Sequence, residues 1–142
     1  INHHPSKFGG ERESEVRRHA AMISLKSMCD SLGNENIVAM GDFNDTPDAE
    51  TFAAINNLLV NKGTELHERG EGTIRYEGKW DLIDMFLVSR ELDVKTDMEI
   101  CHVPFLMTWE KKHPGEKPLR TYSGPRYIGG VSDHCPIVLR LF

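Results

Sequence analysis

Ile37-Val38-Ala39-Met40-Gly41-Asp42-Phe43-Asn44-Asp45-Thr46-Pro47 passes from an apolar stretch directly into a polar one. Ile37 to Met40 is short, continuously apolar and closed by Gly41, the pattern of a buried strand with both faces covered. The polar residues after it then lie at a strand end, where an α/β scaffold presents side chains to a ligand. Asp42 and Asn44, two apart, can both point at one phosphate. An Asx turn, in which the same two residues serve their own backbone, is the competing reading.

Working outward from that stretch gives the fold class. Upstream, Met22, Leu25, Cys29 and Leu32 recur at spacings of three and four, which predicts a helix over 11–32 stopped by Gly33. Downstream, Thr46 as N-cap, Pro47 at the first helical position and acidic Asp48 and Glu50 predict a second helix with Phe52, Ile55 and Leu59 on one face. Leu82 to Val88 and Pro136 to Leu141 read as core strands, and Met98 to Val103 as a weaker one. Ile1 to His4 reads as the end of a strand. Between Pro104 and Val131 the chain is rich in Gly, Pro, Lys and Arg, shows little periodicity, and is too long for a simple connector. These elements describe an α/β fold whose second half is mostly strand, with no repeat and no dividing linker.

Three further places carry chemistry. Ser132-Asp133-His134-Cys135-Pro136 sets an acid beside the one side chain that exchanges protons near neutral pH, just before an apolar strand. A capped strand start with a surface histidine accounts for the same residues. Asp133 and His134, adjacent on an extended chain, should face opposite ways. Asp84 lies inside an apolar run, where an unpaired carboxylate is costly to bury, and His134 is its natural partner. Asp81, at the strand edge, is the other candidate for burial. His3 and His4 stand at a strand end where an imidazole can reach a phosphate oxygen or simply face solvent. In the long segment, Arg120, Tyr122, Arg126 and Tyr127 precede the Asp133-His134 pair. Arg120 and Tyr122 suit phosphate and a base or sugar, or else belong to a solvated loop. Arg17 and Arg18 read as a surface ion-pair face with Glu13 and Glu15.

Composition narrows the class. The chain has 142 residues, 39% of them hydrophobic, and a formal net charge of -5. It contains no run of roughly 18 apolar residues and no signal-peptide pattern, so the visible chain reads as soluble, cytoplasmic or exported according to what precedes it. Acidic charge argues against an all-surface electrostatic grip on long nucleic acid. It is compatible with phosphate binding where a divalent cation offsets repulsion. Cys29, Cys101 and Cys135 are too few and scattered for a disulfide framework and read as small apolar residues.

Taken together the motifs resemble the endonuclease/exonuclease/phosphatase superfamily, the group that includes pancreatic deoxyribonuclease. NHHPSKFGG (2–10) is similar to its histidine-bearing strand end, GDFNDTP (41–47) to its GD-x-N motif, WDLIDMFLVS (80–89) to its W-x-x-x-D strand, and VSDHCPIVL (131–139) to its SDH-x-P motif. All four occur in the family's order. The resemblance implies one portion of a four-layer α/β sandwich with mixed, largely antiparallel sheets, residues 1–142 being the C-terminal portion of a single domain. Ile1 leads at once into the first motif, so the chain is expected to begin mid-domain, to lack the family's N-terminal metal-binding Asn and Glu, and to expose a sheet face that a companion segment or homodimerisation would cover.

The implied activity is hydrolysis of a phosphate ester by in-line attack of water with Mg²⁺ or Mn²⁺; a noncatalytic module that kept the fold is the alternative. Asp42 and Asn44 would orient water and phosphoryl oxygens, Asp133 would help ligate the metal, and His134, oriented by Asp84, would act as general acid/base or stabilise the pentacoordinate transition state. His3, preferred to His4, would hydrogen-bond a nonbridging oxygen. The substrate could be nucleic acid, a phospholipid headgroup or a sugar phosphate, because the motifs read only the phosphate.

Overall fold

The computed structural model describes residues 1–33 and 36–142. Its strands are β1 (Asn2–His3), β2 (Val38–Asp42), β3 (Leu59–Asn61), β4 (Ile74–Tyr76), β5 (Lys79–Asp81), β6 (Asp84–Ser89), β7 (Thr96–Ile100), β8 (Met107–Glu110), β9 (Gly115–Pro118), β10 (Tyr122–Ser123), β11 (Arg126–Tyr127) and β12 (Ile137–Leu141). The helices are α1 (Glu11–Leu32), α2 (Thr64–Glu68) and α3 (Arg90–Asp93). The fold is mixed α/β with largely antiparallel sheets, as the motifs implied. Among the described residues no helix is long and apolar enough to cross a membrane.

The principal sheet has the order β1-β2-β6-β3, with β1 parallel to β2 and the other pairs antiparallel. Its register places Asp42 opposite Asp84 and Met40 opposite Phe86, so these four side chains lie on one face. Gly41 enables the β1–β2 pairing: its φ is 134°, and a Cβ there would collide with the Asn2 carbonyl oxygen. Only glycine fits both demands.

Helix α1 covers the length expected of it and ends at Gly33, which adopts φ 67°. It buries Ser14, Arg18, Met22, Leu25 and Cys29, a stripe at spacings of three and four. Met22, Leu25 and Cys29 share one apolar cluster with Ala39, Phe52, Ile55 and Leu87. Leu32, expected on that stripe, is exposed.

Several expectations are corrected. The strand beginning near Ile37 is not covered on both faces: Ala39 is buried, but Val38 and Met40 are 41% and 36% exposed. They share a face with Val88 and Phe86, which are buried, so cover is present over β6 and missing over β2. The second helix does not start at Thr46. A single 3-10 segment, Glu50–Ala54, replaces it, because the chain must turn in time for Leu59 to enter β3 and pair with Ser89. Its apolar residues Phe52, Ile55 and Leu59 are nonetheless all buried. The strand at Leu82 is shorter than expected, with β6 running Asp84–Ser89. β12 forms as expected but pairs only with β7, and Val138 and Leu141 are exposed, so it is no fully buried core strand. The segment 104–131 is not irregular: it folds into the hairpins β8–β9 and β10–β11. Cys29 and Cys135 are buried and all three cysteines are free.

Candidate phosphoester site

The site is built where β2 and β6 end side by side. Asp42 and Asp84 are register partners on one face, and Ile74 forms an isolated antiparallel bridge with His134, which brings the start of the β12 segment to the same edge. One ligand atom from each of Asp42, Asp84 and His134 lies within 4.8 Å of the other two. His134 and Asp84 are directly joined, with Nδ1 2.7 Å from Oδ2. The expected partner of the carboxylate in the apolar run is therefore the one found.

Asp42 divides its carboxylate between two tasks. Oδ1 accepts the Asn44 backbone N–H at 2.8 Å, closing an Asx turn that holds Asn44 at φ 52°, a left-handed conformation asparagine tolerates. Oδ2 accepts from Asn44 Nδ2 at 3.2 Å and lies 3.6 Å from His3 Nε2. The turn and the site are thus two uses of one side chain. Asn44 Nδ2 also donates to the His4 carbonyl at 2.8 Å, which fixes the amide's orientation. His3 itself is solvent-facing, whereas His4 is buried with its ring edge-on to Phe43, centroids 4.9 Å apart.

The electrostatics follow from this crowding. Burial, reinforced by the charge of Asp84, raises the Asp42 pKa above the ordinary carboxylate value, although the Asn44 N–H pulls the other way. The hydrogen bond that the His134 ring donates to Asp84 raises the His134 pKa above its usual value, outweighing burial, with the charges of Asp84, Asp42 and Asp133 adding to it. The raised pKa favours the protonated ring, the form that can donate a proton.

Asp133 is engaged by a different partner. Its Oδ2 accepts from Arg120 Nη2 at 2.7 Å, and among the described residues it is not within the tight ligand group. Burial would raise its pKa, but the Arg120 hydrogen bond and the nearby positive charges leave it lowered overall. Arg120 is therefore engaged with a carboxylate. Tyr122 is exposed at the β10–β11 hairpin and packs edge-on to Tyr127, centroids 5.6 Å apart.

Two supporting features escaped the sequence reading. Thr73, fully buried, donates its hydroxyl to Asp84 Oδ2 at 2.5 Å and accepts from the Ile83 and Asp84 backbone N–H groups at 3.3 Å each. Nothing in Gly72-Thr73-Ile74 signals this in the sequence. Arg18, expected on the surface with the acidic residues of its own helix, is 1% exposed and donates Nε to Asp45 at 2.8 Å and Nη1 to Ser14 at 2.8 Å. Thr51 donates to the same Asp45 oxygen at 2.9 Å. This buried network ties α1 to the loop that carries Asn44.

A family model described as Endonuclease/Exonuclease/phosphatase family matches residues 1–142. Among solved structures the chain is similar to an endonuclease/exonuclease/phosphatase family protein from Bacteroides thetaiotaomicron, at 15% identity and a TM-score of 0.56. The match covers 89% of this chain and 45% of that one, so the chain spans less than half the length of the protein it resembles. No curated protein matches it.

Proposed function

Because the chain belongs to the Endonuclease/Exonuclease/phosphatase family, we propose that it carries the acid, amide and imidazole portion of a divalent-metal-dependent phosphoesterase active site. The observation that supports this most directly is the convergence of Asp42, Asp84 and His134 within 4.8 Å. The carboxylate oxygens of this group would suit a hard divalent cation such as Mg²⁺ or Mn²⁺, with the imidazole left for proton transfer. Such an ion would offset charge on the phosphoryl oxygens and lower the pKa of water.

The residues divide the remaining work. His134, oriented by Asp84 through Nδ1, presents its other ring nitrogen to the reacting group and exchanges a proton there. Asn44, with its amide nitrogen committed to His4 and Asp42, keeps Oδ1 as an acceptor for the attacking water, and holding a phosphoryl oxygen would require one of those N–H groups to leave its present partner. His3, beside Asp42 and open to solvent, donates to a nonbridging oxygen. Asp133 would help hold the metal if its carboxylate were released from Arg120, and Arg120 and Tyr122 would contact the substrate.

The test is turnover of bis(p-nitrophenyl) phosphate by the longest natural form of the protein, with and without Mg²⁺ or Mn²⁺. Hydrolysis that requires the metal and disappears in Asp42→Ala supports the reading. Turnover indifferent to that substitution, or no turnover with any divalent ion, favours a noncatalytic module that kept the fold.

A further inference from the structure

A cavity of about 290 Å³ opens beside the candidate site between the β4–β5 and β8–β9 hairpins. Asp133 and Ile74 line it, and they are the chain neighbour and the bridge partner of His134. The cavity therefore adjoins the segment that carries His134, although none of the clustered side chains lines it. In a chain of net charge -5, its lining is biased the other way: Arg75, Lys112, Lys117 and Arg120 outnumber its acidic residues.

The cavity is held in shape by a partly buried ion network. Glu110 receives Arg75 Nη1 at 3.2 Å and Lys117 Nζ at 3.1 Å, and Arg75 also donates to the His113 and Pro114 carbonyls at 3.1 and 3.3 Å. Gly115 lies against the Arg75 guanidinium so closely that a Cβ would come within 2.8 Å of Nη2. The β8–β9 turn is thereby clamped onto β4, and the walls do not need to be assembled by a ligand.

Two polar groups in this lining lack a full set of partners. His113 Nδ1 is buried without a hydrogen bond among the described residues, since its nearest carboxylate oxygen, on Glu110, is 3.6 Å away. Lys112 is exposed and enters no ion pair or side-chain hydrogen bond among the described residues. A buried nitrogen with an unmet hydrogen bond, a free ammonium and an arginine tied only to a half-exposed carboxylate make a place for an anion.

We propose that this cavity is a subsite for a second phosphoryl group on a small, multiply phosphorylated substrate, with Lys112, His113 and Arg120 as its recognition residues. The proposal rests on the phosphoesterase reading above for the position of the first phosphoryl group. A single small volume with a modest cationic excess fits one phosphoryl group and part of its carrier. A polyanion would instead call for an extended basic track, which the acidic chain does not offer.

Binding measured by calorimetry in Mg²⁺ tests the subsite without requiring turnover. Fructose 1,6-bisphosphate is compared with fructose 6-phosphate on the wild-type chain and on Lys112→Glu, an exposed position whose substitution leaves the Glu110 network intact. The expected result is at least a 10-fold advantage for the bisphosphate in the wild type, lost in Lys112→Glu, with monophosphate binding changed less than 2-fold. A bisphosphate that binds no tighter than the monophosphate, or an advantage that survives Lys112→Glu, overturns the proposal. A duplex oligonucleotide showing the same Lys112 dependence overturns its assignment to a small substrate. Hydrolysis of bis(p-nitrophenyl) phosphate without a bisphosphate advantage would sink the subsite alone. The advantage without any hydrolysis would sink the phosphoesterase reading and leave an anion-binding groove.

Discussion

Asp84 Oδ2 and His134 Nδ1 lie 2.7 Å apart although 50 positions separate the two residues in the chain. A carboxylate on Nδ1 selects the imidazole tautomer and leaves the other nitrogen facing the site. Removing it with Asp84→Ala frees the ring to rotate and removes the largest influence raising the His134 pKa. The expected outcome is a kcat lower by roughly 10²–10⁴-fold, the range for misplacing a general acid/base, with KM changed far less. Steady-state kinetics on an aryl phosphodiester checks it; an unchanged kcat would remove His134 from the proposed mechanism.

Thr73 supports that pair from behind. Its hydroxyl is the second donor to Asp84 Oδ2, and it also accepts from two backbone N–H groups. Thr73→Val keeps the shape and deletes the hydroxyl, leaving buried polar groups without a partner. Each such group costs about 1–3 kcal/mol, so a destabilisation of that order is expected by denaturant unfolding. Thr73→Ser, which restores the hydroxyl, should recover most of it.

The difference between Asp84 and Thr73 explains what could be read from the sequence. Asp84, Asp42, Asn44 and His134 break apolar or extended patterns, so a charge out of place announces them. Thr73 breaks no pattern: threonine is ordinary at a strand start, and its role comes from the β4–β6 geometry alone. Helix α1 was legible in its bounds because apolar spacing and Gly33 agree. The polar end of its buried stripe was not, because Arg18 faces Asp45, 27 residues away, and periodicity cannot see a partner on another element. Likewise the hairpins within 104–131 are stabilised by pairing between short strands that carry little alternation of their own.

Arg18 and Asp45 are 1% and 5% exposed, so neither tolerates loss of the other. Arg18→Met leaves a buried carboxylate whose remaining polar partners among the described residues are the Thr51 hydroxyl and the more distant Lys7, with the His4 ring also within reach of its charge. Breaking a buried pair from one side costs about 3–5 kcal/mol, which is the expected loss in unfolding free energy. The double change Arg18→Met with Asp45→Leu removes the orphaned charge and should recover a large part of it. The same loop carries Asn44, so the single variant should lose activity beyond its loss of folded protein.

His4 makes stability depend on pH. Burial lowers its pKa below 6.5, partly opposed by the charge of Asp45, and its ring packs on Phe43. Below pH 6.5 the unfolded chain takes up the proton more readily than the folded one, so this group favours unfolding as the pH falls toward its folded pKa. Above 6.5 both states are neutral at this ring and the effect vanishes. Denaturant midpoints measured from pH 8 down to 5 should therefore fall on the acidic side, and His4→Leu should flatten that part of the decline. An equal decline in His4→Leu would assign the acid sensitivity to the carboxylates instead.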